Sequence, residues 1–256
     1  MPSRQRWDPS ASFRAGCRRY RRFAAACLAA GSSTSTTLPR MRMELDHLFV
    51  CTAVGAPEAE ALVNFGLREG PPNQHPGQGT SSRRFSFANA MIELVWVHDP
   101  SEAQSPSTRR TLLWERWSGR EESACSFGIC LRPIGSPDTA PPFAAWEYHP
   151  AYLPAPLCLH IGEAGVEEPM WVYLSFMQRK QREQWFVEHP AGIREITGLT
   201  LTIPVPLRSD ASQKIIASRI LNARAGATSL LEVEFDRRRR GKTVDFRPQL
   251  PIVFLM

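Results

Sequence analysis

The 256-residue sequence contains no apolar run approaching the roughly 20 residues that a membrane-spanning helix needs. Its six cysteines (17, 27, 51, 125, 130 and 158) form no CxxC pair, which excludes tandem-cysteine zinc ribbons and dithiol redox motifs. Cys51, Cys130 and Cys158 sit in apolar strand-like runs, where a free thiol packs as a small hydrophobe, so a reducing, cytoplasmic location is expected. No glycine-rich phosphate loop and no nucleophile elbow is present. Acidic residues are scarce in one region only. Residues 1–42 hold nine arginines against a single acid, Asp8, for a charge of +8, whereas the rest carries 22 bases and 24 acids, for −2. The formal +6 of the chain therefore describes its first segment, and a nucleic-acid partner is not expected for the remainder.

Three readings of residues 1–42 stay open. Arg18-Arg19-Tyr20-Arg21-Arg22 followed by the apolar Phe23 to Ala30 suits a targeting peptide. The arginines suit a basic arm. An over-extended start, with Met41 or Met43 as the true first residue, suits the strand pattern that begins at once after Met43. Each of them predicts disorder or a loose helix before residue 43.

What is present is a strand-rich pattern with few helices. Met43 to Thr52 alternates with both faces largely apolar, as an interior strand does, placing Leu45, His47, Phe49 and Cys51 on one face. Pro57 and Glu58 open a helix that Gly66 ends. Residues 68–82 read as a polar loop, and Arg83 to Ala88 with Met91 to Val97 as a hairpin. A short helix is expected over Thr108 to Ser118, and strands over Ser126 to Arg132, Leu157 to Ile161 and Met170 to Phe176. The end repeats the beginning. A strand at Ile196 to Pro204 is followed by a helix capped at Ser209-Asp210 and running to about Arg224, then by strands at Leu230 to Phe235 and Pro251 to Leu255.

The stretches LDHLFVCT, HPGQGTSSRRFSFANA and MIELVWV resemble the vicinal oxygen chelate superfamily, specifically its glyoxalase-like domain group. His189-Pro190-Ala191-Gly192-Ile193-Arg194 leading into ITGLTLTIP, and Asp245-Phe246-Arg247-Pro248 before the last strand, add to the likeness, which covers roughly residues 43–256. The resemblance implies an α+β fold, with paired βαβββ modules forming a cupped mixed β-sheet and helices on the outer face. The first module would span about 43–99, middle strands about 123–178 and the last module about 193–256. It also implies a divalent metal held by His47 and Glu93, with Glu232 as a further ligand from the second module. Gly198 or Phe127 stands where a second histidine would fall, so that set is incomplete.

The residues themselves support a site at His47 and Glu93. A carboxylate in the apolar strand MIELVWV is costly unless paired, and a metal-free buried carboxylate suits a general base. The simpler alternative for Glu93 is an ion pair with Arg83 or Arg84. Those two arginines point to opposite faces, so one of them could clamp a substrate carboxylate; His75 is a turn residue or a substrate contact. His160 and His189 are read as structural. The first functional expectation is an enzyme of lyase, isomerase or dioxygenase type acting on a small carbonyl or carboxylate compound, with Glu93 as base or ligand and His47 as ligand. The alternative is a metal-free protein that binds or sequesters a small molecule. A small-molecule partner, no membrane and a homodimer complete the expectations.

Overall fold

In a computed structural model of the chain, residues 43–135 and 140–256 are described. The expectation for residues 1–42 lies outside them. Among the described residues no helix is long and apolar enough to cross a membrane.

The first half-sheet is β1 (Met43–Cys51), helix α1 (Ala59–Phe65), β2 (Asn73–His75), β3 (Thr80–Ser86) and β4 (Met91–Val97). Helix α1 stops where the sequence predicts, because Gly66 takes the left-handed conformation at φ 105° that a side chain disfavours. A short helix α2 (Pro100–Ala103), a 3-10 turn at 109–111 and α3 (Leu113–Ser118) follow. Leu112, at φ 56°, divides the last two, so the single helix expected over 108–118 is broken. The second half-sheet is β5 (Phe127–Pro133), β6 (Ala145–Tyr148), β7 (Leu159–Gly162) and β8 (Met170–Tyr173).

These eight strands form one curled sheet in the order β2-β3-β4-β1-β5-β8-β7-β6. Each half repeats one rule. The first strand pairs parallel with the last, β1 with β4 and β5 with β8, and the two first strands pair antiparallel at the centre. The result is a mixed α+β half-barrel cup, as the resemblance implies.

After α4 (Arg179–Glu183), the end of the chain forms a separate five-stranded sheet. It comprises β9 (Ile196–Ile203), α5 (Asp210–Ala217), β10 (Asn222–Ala225), β11 (Leu230–Phe235), β12 (Thr243–Asp245) and β13 (Ile252–Leu255), in the order β10-β9-β11-β13-β12. Its centre repeats the same rule: β9 and β11 pair antiparallel, and each has a parallel partner, β10 or β13. Helix α5 begins at the expected cap, where Ser209 accepts a hydrogen bond from the Ser212 amide. It ends at Ala217 rather than near Arg224, because Arg219 adopts a left-handed φ of 64° and residues 222–225 become β10.

Strand alternation then sorts the core into two. Leu48, Val50, Ile92, Leu94, Ile129 and Trp171 face outward from the cup and meet Leu199, Leu231, Val233 and Phe254 of the second sheet. Helices α1 and α5 contribute Leu62 and Ile215 to this layer. Phe49, Cys51, Val95, Cys130, Ile161 and Val172 face inward and line the cup, joined by Leu113 of α3. Gly128 is required in that lining: a Cβ there would lie 1.9 Å from the Phe49 ring.

Candidate functional site

The structure brings His47 and Glu93 together on the inner face. Glu93 on β4 lies opposite Phe49 of β1 and Arg84 of β3, and its Oε2 is 4.0 Å from His47 Nε2. Glu93 is 6% exposed, so its charge is held nearly away from water.

A β-bulge decides how His47 arrives there. Register along β1 and β5 shifts between Leu45 and His47, leaving Asp46 as the extra residue. The expected alternation is thereby broken: Leu45 packs with the outer core, while His47 faces inward opposite Cys130. The bulge also lets neighbouring side chains meet, so His47 Nδ1 donates to Asp46 Oδ1 at 2.6 Å. Asp46 is fully buried, and Arg132, equally buried, donates to its Oδ2 at 2.9 Å while also bonding Glu44 and the Asn89 carbonyl. Asp46 therefore fixes the imidazole with Nδ1 protonated and turns Nε2 toward Glu93. Burial alone would pull the His47 pKa down. Cys130, the Asp46 hydrogen bond and the Glu93 charge outweigh it and push the pKa up to about 10. His47 is thus an imidazolium at neutral pH, close to a buried carboxylate.

His75 lies on the edge strand β2, not in a loop. Its Nδ1 bonds Thr80 Oγ1 at 2.9 Å, and Asn73 donates to its Nε2 at 2.8 Å. Burial lowers its pKa, so this imidazole is neutral. Tyr152, from the connection between β6 and β7, packs its ring 4.9 Å from that of His75 and bonds Gln78 at 3.3 Å. This contact joins the rim of one half-sheet to the rim of the other. Burial, with Tyr148 and Glu93 nearby, raises the Tyr152 pKa well above its usual value, so the phenol keeps its proton. Ser82 adds a polar group to the face that carries Arg84 and Glu93: its hydroxyl is fully buried and has no hydrogen-bond partner among the described residues.

The remaining expected residues sort clearly. Arg84 shares the Glu93 face, and its guanidinium donates to the Pro71 carbonyl at 2.9 and 3.1 Å. Arg83 points outward and is held by Glu69 at 2.6 Å and Glu60 at 2.8 Å, so it is a bridge to α1 rather than a substrate clamp. Glu232 does not join His47 and Glu93. It lies on β11 of the other sheet, bonded by Arg224. His189 is structural, accepting from the Arg68 amide at 3.0 Å and donating to the Ser86 carbonyl at 3.1 Å.

The sequence gives no sign that Asp46, Arg132, Ser82 and Tyr152 belong to the site, and it marks Cys130 only as a packed thiol. A bulge has no composition signal, and the rim contact joins residues far apart in the chain. One cavity of about 250 Å³ opens beside the second half of the cup, lined by Arg110, Trp146, Ile161, Glu163 and Met170 among others, and neither His47 nor Glu93 reaches it. Among the described residues, the His, Cys, Asp and Glu side chains close enough to share a metal ion are Glu147, Cys158 and His160, whose donor atoms lie within 4.8 Å of one another. His47 and Glu93 are not part of that group.

No family model matches the chain, and no curated protein matches it. Among solved structures, the crystal structure of a hypothetical protein from Staphylococcus aureus is similar at 12% identity and a TM-score of 0.47, covering 84% of this chain and 99% of that one.

Proposed function

We propose that the chain is a glyoxalase-like protein that binds a small carbonyl or carboxylate compound in its cup and moves a proton on it. The observation that carries this reading is the buried Glu93 carboxyl group 4.0 Å from an imidazole whose pKa is raised by Cys130, Asp46 and Glu93. In this reading Glu93 takes a proton from the carbon next to the substrate carbonyl. His47, with a proton on Nε2, stabilises the negative charge that develops on the oxygen. The orphaned Ser82 hydroxyl would bond a polar substrate atom, and the apolar lining of Phe49, Val95 and Val172 keeps water out and strengthens both interactions. No step is routed through a metal at His47 and Glu93, since no group of three His, Cys, Asp or Glu donors within 4.8 Å of one another includes them among the described residues. The cysteines at 51, 125, 130 and 158 are all free, which supports a reducing compartment.

The test is hydrogen exchange in heavy water on a panel of small 2-oxo and 2-hydroxy acids, followed by NMR. Wild type should incorporate deuterium next to the carbonyl of at least one compound, and Glu93→Gln should lose about 10²–10⁴-fold of that rate. A compound that binds without exchange would replace this reading with the metal-free binding protein. Equal exchange by wild type and Glu93→Gln would remove Glu93 from the chemistry.

A further inference from the structure

The edge hairpin at β6 and β7 carries a second group of reactive side chains, on the face opposite the cup. Glu147 on β6 pairs directly with His160 on β7. His149 and Cys158 directly follow the last paired residues, Tyr148 and Leu159, at the end of the two strands. The four side chains thus form two i, i+2 pairs, Glu147-x-His149 and Cys158-x-His160, on adjacent antiparallel strands, where cross-strand neighbours stand about 5 Å apart. Their residues of opposite parity, Trp146, Tyr148, Leu159 and Ile161, pack inward with the cup lining. Cys158 Sγ is 4.0 Å from His160 Nε2, and His149 Nε2 is 3.2 Å from Glu147 Oε2. His160 is buried against the Tyr173 ring, while Glu147 and His149 are mostly exposed and reach the site from solvent.

We infer that Glu147, His149, Cys158 and His160 form a metal site for a divalent transition ion, zinc in the first place, on the outer face of the sheet edge. One thiolate, two imidazoles and one carboxylate make a mixed set with the number and softness that tetrahedral zinc takes, and calcium or magnesium would reject the sulfur and nitrogen donors. Three of the four donors already lie within 4.8 Å of one another, so binding asks little more than rotation of the exposed His149. An ordinary Glu147–His149 ion pair would explain two of these residues but not the thiol and the buried imidazole aimed at the same point. The site would also have a structural effect. His149 and Cys158 flank segment 150–157, which carries Tyr152 onto His75 at the cup rim, so an ion held from both strands would tie the two ends of that segment.

The experiment is a cobalt(II) titration of the full chain after removal of metal, read by absorption and then displaced by zinc. One equivalent should give a thiolate-to-cobalt charge-transfer band together with tetrahedral d–d bands. Cys158→Ser should lose the charge-transfer band, and His160→Gln should lose stoichiometric binding. The exposed His149→Gln, which cannot disturb the core, should bind more weakly than wild type. Glu93→Gln should titrate as wild type does, which separates this site from the cup. A charge-transfer band retained by Cys158→Ser, or no saturable binding by a correctly folded wild type, would overturn the assignment.

Discussion

The two faces of the eight-stranded sheet are built from the same strands in the same alternation, yet they have opposite characters. The central part of the outer face is apolar and packs against the five-stranded sheet, with Phe65, Phe87, Phe235, Phe246 and Phe254 meeting edge to face or tilted, while Arg83 and the Glu147, Cys158 and His160 group lie toward its edges. The inner face mixes an apolar lining with buried or half-buried polar groups, among them His47, His75, Ser82 and Glu93. Burying ionisable groups is costly, and the outer face avoids the cost. The inner face accepts it and offsets it with Arg132, Asp46 and the bulge. The difference separates the face that packs against the second sheet from the face that carries the buried ionisable groups of the cup.

This contrast can be broken in three ways. The largest effect is expected on the outer face. Phe254→Ala should cost about 3–5 kcal/mol in urea denaturation, since the ring is fully buried and several aromatic rings lose their partner. Ligand binding in the cup by the surviving folded fraction should be unchanged; a loss of cup binding at equal folded concentration would mean that the faces are coupled.

A smaller, pH-dependent effect is expected on the inner face. The His47 pKa is raised in the folded chain from an ordinary 6.5 to about 10. The stabilisation it brings is therefore fully present below about pH 6.5 and is lost as the pH rises toward about 10. Denaturation midpoints of wild type should fall through that window relative to those of His47→Gln. A difference between the two proteins that does not vary with pH would show that His47 is neutral in the fold.

The smallest effect belongs to Arg83, a partly exposed bridge on the outer side to Glu60 and Glu69. Arg83→Ala should change stability by no more than about 1 kcal/mol and leave cup binding alone. Weakened binding would return Arg83 to the site.

Much of the fold is legible in the sequence, because alternation and capping are local. The interior strand at Met43 to Cys51, the helix ended by Gly66, the cap at Ser209 and the apolar run MIELVWV all follow from neighbouring residues. The pairing of His47 with Glu93 follows only from the resemblance, because alternation fixes the face of each residue in its own strand but not which strands pair. The bulge at Asp46 is not legible, because strict alternation puts Leu45 on the wrong side and gives no reason for Asp46 to meet His47. Nor is the group at Glu147, His149, Cys158 and His160. Its i, i+2 spacings are visible, but only the β6–β7 register shows that the two pairs face each other.

The sequence by itself determined which segments extend and where most helices begin and stop. Those features depend on contacts within a few residues of each other. The tertiary structure decided the rest: that β1 and β5 join two half-sheets into a cup, that the terminal sheet covers its outer side, and that Tyr152 bridges the rims above Glu93. It also decided that Glu232 stays with Arg224, while Cys130, Asp46 and Glu93 raise the pKa of His47 and Arg132 holds Asp46. The reason is physical. Register, burial and the pKa of a buried group depend on partners distant in the chain, and no local pattern specifies which of the available partners will arrive.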